Sequence, residues 1–255
     1  MIPDYSKFKR FFTFGCSFTG YIWPTWANIL SKNMPTALFY NYGKAGGGNQ
    51  YIANMVVQCN MEYNFCETDL VIVMWSTFAR EDRYINSNWI TPGNIFTQNE
   101  YPDDYVKKYA DIRGYMIRDI ATIELLHVYL GALTCTAIPL LSVPFIYDSR
   151  DLQMPDVLLM YKKTTSRFTS NMYDLLGSMW AHGHTYSDPN FLTEFGDYHP
   201  NPRMYKDYLI NAGFELTHDA INYADNSTDI LKQCRTKQEI NVASFGLSNL
   251  GRKLL

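Results

Sequence analysis

Charge is scarce in this 255-residue chain: Asp, Glu, Lys and Arg make up 18% of it, the net charge is −3, and neither sign is clustered. A nucleic-acid binder ordinarily carries a basic stripe for phosphates, so no nucleic-acid partner is expected. The five cysteines are odd in number and include no C-x-x-C pair, which leaves neither a zinc pattern nor a disulfide framework and points to a reducing compartment. No stretch reaches the roughly 18 apolar residues of a membrane span. The opening M-I-P-D-Y-S-K-F-K-R also lacks the apolar run of a signal peptide. The expectation is a soluble protein made in a cytoplasm, with no membrane partner. No G-x-G-x-x-G follows the first strand, and Gly43 to Gly48 lacks G-K-[ST], so neither nucleotide binding nor any other cofactor is expected. His182 and His184 could supply two metal ligands, but no third has convincing spacing, so no metal is expected.

What the chain has in quantity is apolar and aromatic surface: 47% hydrophobic residues, 16% aromatic, and twenty tyrosines. That suffices for one large core. The tyrosines suit a core, or else an interface or a carbohydrate-facing cleft. Short apolar runs read as strands at Phe8 to Phe14, Thr36 to Tyr42, Leu70 to Trp75 and Ile138 to Phe145, the last with its prolines near the ends. Helical patterns lie between them: Pro24 to Leu30, a stretch opened by Asn49 as N-cap, Tyr105 to Leu133 with Ile117, Ile120, Ile123, Leu126 and Leu130 on one side, Ser166 to Trp180, and Pro202 to Ala212. Strand–helix alternation with fully apolar strands predicts an α/β fold, a three-layer α/β/α sandwich around a mostly parallel, flavodoxin-like sheet. Residues 1–225 form this single domain, and 226–255 a tail or peripheral helix. Arg80 to Asp104 is too long for an ordinary connection and is expected to shape a binding site.

The polar clusters fall where such a sheet places its ligands, at the carboxyl ends of strands. Ser17 follows the first strand, between it and a helix start, where backbone N–H groups favour an alkoxide and an oxyanion. It stands equally well as a turn residue, and the second glycine of a G-x-S-x-G elbow is displaced to Gly20. Asp197 lies two residues before His199; in an extended segment both side chains share a face, so the carboxylate can orient the imidazole. The same D-x-H also suits half a metal site or a surface cap.

In this order, three short blocks resemble those of the SGNH (GDSL-like) hydrolases. They are Phe14-Gly15-Cys16-Ser17-Phe18-Thr19, Asn41-Tyr42-Gly43-Lys44-Ala45-Gly46, and Asp197-Tyr198-His199-Pro200-Asn201. The resemblance spans roughly residues 8–212 and implies a serine esterase with a Ser17, His199 and Asp197 triad. It also implies an oxyanion hole from the backbone N–H groups of Ser17 and Gly46. The family's third block carries an oxyanion Asn, and its position here is Phe78; Asn49, Ser76 and Arg80 are the candidate substitutes. The D-x-H spacing, shared with relatives acting on acetylated polysaccharides, implies acetyl groups of a glycan ester as substrate. The same triad would serve an O-acyltransferase, and loss of the Asn would suit a weakened scaffold used for structure or adhesion. Phe-Gly-Cys-Ser-Phe-Thr with Trp-Ser-Thr-x-x-Arg is also similar to SGNH-type proteins of tailed bacteriophages, which implies virion association and contacts with other proteins or further copies of this chain.

Overall fold

The computed structural model describes residues 4–96, 101–142, 155–168, 171–176, 199–234 and 237–247. Its sheet contains β1 (Arg10–Gly15), β2 (Leu38–Gly43), β3 (Asp69–Trp75) and β6 (Thr136–Leu141), in the order β2-β1-β3-β6, with every neighbouring pair parallel. Two short strands, β4 (Arg83–Ile85) and β5 (Asn88–Ile90), form a separate antiparallel hairpin.

Side chains alternate across a strand, and here they sort into two cores. Phe11, Leu70, Ile72 and Met74 face one layer, made of α1 (Trp26–Ser31), α6 (Met172–Leu176), α7 (Pro202–Asn211) and α8 (His218–Gln233). Phe12, Phe14, Val71, Val73 and Trp75 face the other, made of α2 (Asn49–Tyr63), α4 (Ile112–Gly131) and α5 (Pro155–Thr165). A short α3 (Asp103–Tyr109) precedes α4. The three-layer sandwich expected from the sequence is therefore present. No described helix is long and apolar enough to cross a membrane.

Several local expectations change. On α4 the buried stripe runs through Met116, Ile120, Ile123, Leu126 and Leu130, while Ile117 is 42% exposed. Pro139 lies inside β6, paired with Val73, not at a strand end. Ser142 donates its N–H to the Trp75 carbonyl, so strand alternation turns the nitrogen of Pro139 to the side away from β3, where no ladder bond to β3 is lost. The Arg80 to Asp104 stretch holds the β4–β5 hairpin, turned at Asn86 and Ser87, whose φ angles of 51° and 59° suit the turn type that matches strand twist. Position 226, expected to begin a tail or peripheral helix, falls inside α8. Beyond it Leu231, Ile240 of α9 (Lys237–Val242) and Phe245 close over Trp23.

One ion pair ties β1 to β3 at their amino ends. Arg10 Nε and Nη2 donate to Asp69 Oδ1 and Oδ2 at 2.7 and 2.6 Å, and the fully buried carboxylate also accepts the Cys66 N–H at 2.7 Å. Such a two-pronged fit is what planar guanidinium and carboxylate groups allow. Asp69→Ala leaves the Cys66 N–H without its acceptor and leaves the Arg10 guanidinium to the Tyr63 and Asn64 carbonyls. Urea unfolding should show a loss of about 3 kcal/mol, and a loss below about 0.5 kcal/mol would refute the assignment.

Candidate active site

Strand β1 ends at Gly15, and the chain then makes one tight turn. The Cys16 carbonyl accepts the N–H groups of Thr19 and Gly20 at 2.9 and 3.1 Å. Ser17 sits in this turn, so the helix start expected there is a single turn; α1 begins only at Trp26. The register of β1 with β2 and β3 sets the turn beside the ends of both neighbours, at the point where the strand order reverses.

The turn is clamped through one carbonyl. Thr19 O accepts from Thr25 Oγ1 at 2.6 Å and from Asn41 Nδ2 at 2.8 Å, while Asn41 Oδ1 accepts the Gly43 N–H at 2.8 Å. Gly20 and Gly43 meet backbone to backbone: a Cβ on Gly20 would lie 2.5 Å from the Gly43 carbonyl oxygen. The loops carrying Ser17 and Gly46 are thereby locked together.

His199 arrives from the opposite end of the sequence. Asn201 caps α7 through Met204 N at 3.0 Å, Pro202 opens that helix, and Trp23 Nε1 donates to Pro200 O at 2.9 Å. The imidazole stacks on Tyr21, with centroids 4.0 Å apart and planes 18° apart, and Phe18 lies 5.1 Å away. So held, His199 Nε2 lies 2.7 Å from Ser17 Oγ. Asp197, His182 and His184 lie outside the described residues.

Gly46 has φ of +71°, in the left-handed region that favours glycine, and the Thr91 carbonyl occupies the space a Cβ would need. Among the described residues, the backbone N–H groups of Ser17 and Gly46 have no hydrogen-bond partner. Asn49, Ser76 and Arg80, the candidate oxyanion donors expected from the sequence, are placed differently. Asn49 is fully buried: its Oδ1 accepts Ser76 N at 2.9 Å, and its Nδ2 donates to Ser76 O at 3.1 Å and to Asp119 Oδ2 at 3.0 Å. Its amide is thus committed to holding α2 against the end of β3, and it is the first residue of α2, not the N-cap. Gly48 is the N-cap, and Asp82 supplies the acceptors, taking the N–H groups of Gly48 and Tyr51, both at 2.9 Å. Arg80 Nη1 donates to the Gly47 carbonyl at 2.9 Å, which commits that nitrogen to the loop. Ser76 is fully buried with its hydroxyl unpartnered. Phe78 is buried in the α2–α4 core.

No family model and no curated protein sequence matches the chain. A solved structure does resemble it. That structure is described as a member of the lipolytic protein G-D-S-L family from Veillonella parvula DSM 2008. It is 16% identical to this chain, the match covers 80% of this chain and 95% of that one, and the TM-score is 0.42.

Tyr21, Trp23, Thr25 and Asn41 position the site, yet sequence reasoning passed over their roles. For Tyr21, Trp23 and Thr25 the available signal was the crowding of aromatic and small polar residues just after Ser17; Asn41 lies on β2 and carried none.

Behind the site lies an ionisable network. Asp119 is fully buried, held by Asn49 and by Arg118 Nε at 2.8 Å. Burial away from water pushes its carboxyl up from 3.8 to about 6, although Arg118 and Asn49 pull it down. A carboxyl that ionises less readily when folded takes up a proton on folding. Its contribution therefore favours the folded chain below about pH 4 and is lost as pH rises through about 6. The stability of wild type relative to Asp119→Asn should fall by on the order of 2–3 kcal/mol between those limits, read from urea melts across the pH series. Parallel curves would rule out Asp119 as the titrating group.

Proposed function

We propose that this protein hydrolyses esters through Ser17, and that it does so as an SGNH-type hydrolase. The observation that carries this reading is the 2.7 Å contact between Ser17 Oγ and His199 Nε2, the separation a nucleophile and its general base require. Ser17 Oγ attacks the ester carbonyl carbon while its proton passes to His199 Nε2. The carbonyl oxygen becomes an oxyanion, and the unengaged N–H groups of Ser17 and Gly46 are the donors that receive it. The carbon–oxygen bond to the leaving group then breaks, and His199 returns the proton to that oxygen, releasing an alcohol. Water gives a proton to His199 and attacks the acyl-serine carbonyl; collapse frees the acid and restores the serine hydroxyl. Asp197 orients His199 in this scheme.

The acyl donor we favour is an acetyl group on a carbohydrate, on the D-x-H spacing of Asp197 and His199 that is shared with relatives acting on acetylated polysaccharides. Replacement of the family Asn by Phe78 removes one oxyanion donor, worth roughly 10²–10³ in rate where such donors have been deleted. The chemistry is accordingly expected to be slow, with the backbone donors carrying it.

Ser17→Ala and His199→Ala should each lower p-nitrophenyl acetate turnover by about 10³-fold or more while thermal melting stays within a few degrees of wild type. Equal turnover by wild type and a folded Ser17→Ala protein would end the esterase reading.

A further inference from the structure

A cleft of about 780 Å³ opens between the end of the Ser17 turn, the loop after β2, the β4–β5 hairpin and α9. We propose that this cleft binds an oligosaccharide bearing carboxylates, so that the glycan chain lies along the hairpin and presents a ring ester to Ser17. The position of the ester rests on the esterase reading above; the binding of the glycan does not.

Three observations favour a sugar. The hairpin supplies Tyr84 and Trp89, and the Trp89 ring meets Tyr51 edge to face at 5.7 Å and Tyr84 at 5.5 Å. Tyr51 is itself pinned by its hydroxyl to the Tyr42 carbonyl at 3.0 Å, which fixes the ring against which Trp89 packs. Flat rings held in place offer large contact area to the C–H face of a pyranose at low entropic cost. Around them stand the carboxamides of Gln58, Asn88 and Asn241, each able to donate and accept, as vicinal hydroxyls require. The volume lies within the range of small-molecule sites.

The charge pattern narrows the class. Lys44 is the sole charged side chain among the described residues that line the cleft, and it has no carboxylate partner among the described residues. A cation in a cleft whose described lining carries no acid, on a chain of net charge −3, selects for an anionic ligand. One lysine without a phosphate-cradling glycine loop suits a carboxylate carried on a sugar better than a nucleotide. Tyr21 lines the cleft and stacks on His199, so the cleft and the reacting pair share one wall.

Calorimetric titration of the full-length Ser17→Ala protein tests this without turnover, using hexamers of galacturonate, alginate and hyaluronan, with xylohexaose as the neutral control. At least one uronate oligomer should bind about tenfold more tightly than xylohexaose, and Lys44→Ala should abolish that preference. Trp89→Ala should weaken binding about tenfold, with Trp89→Phe restoring most of it. The proposal fails if no uronate oligomer binds, if xylohexaose binds equally well, or if Lys44→Ala leaves binding unchanged in a protein that melts like its parent. Glycan binding by a protein inert toward p-nitrophenyl acetate would keep this inference and remove the esterase; active enzyme without glycan binding would do the reverse.

Discussion

Two glycines touching through their backbones set the geometry on which the site depends. Gly20, at the end of the Ser17 turn, and Gly43, the last residue of β2, approach so closely that neither has room for a Cβ. Neither needs an unusual φ for this; the requirement is closeness. The contact fixes the Ser17 turn against the loop that carries Gly46, and the Thr19 carbonyl, gripped by Thr25 and Asn41, keeps the turn from rotating. Given that scaffold, His199 needs only to be delivered at the right height. Trp23, Tyr21 and the capped start of α7 do this.

The same economy governs the far side of the site. The sheet ends would splay if α2 were free to move, and two polar links prevent it. Asn49 pairs with both backbone groups of Ser76, and Asp82, from the segment after β3, takes two N–H groups at the start of α2. Buried groups so fully committed cannot also serve a substrate, because each donor spent on the fold is lost to the oxyanion. Asn49 is the candidate substitute to which this applies in full; among the described residues the Ser76 hydroxyl and Arg80 Nε have no hydrogen-bond partner. Arg118 links Asp119 to the same network, donating to its carboxylate and to the Arg80 carbonyl.

Much of the layer architecture was legible because strand periodicity survives folding. The unbroken apolar run of β3 could only be a strand covered on both faces, and the alternation of Phe11 and Phe12 sorts them to opposite cores. Boundaries were less legible. Pro139 was assigned to a strand end because proline cannot donate, yet a strand can hold it where its nitrogen faces away from the ladder. The β4–β5 hairpin was hidden because its turn, Asn86-Ser87, lacks the glycine that usually marks one. The end of α8 and the packing of Ile240 and Phe245 on Trp23 went unseen because partners so far apart leave no local pattern.

By itself, the sequence determined the α/β class, the order of the polar clusters along the chain and the fact that they follow strand ends, since all three depend on local periodicity and on which residues can turn a chain. Only the tertiary structure decided that Ser17 and His199, 182 positions apart, meet at hydrogen-bond distance. It alone decided, too, that Asn49 belongs to the scaffold and that the long insertion brings Tyr84 and Trp89 to an aromatic cleft. Such outcomes depend on close packing and on competition for each buried donor, and a linear pattern carries no information about which neighbour wins.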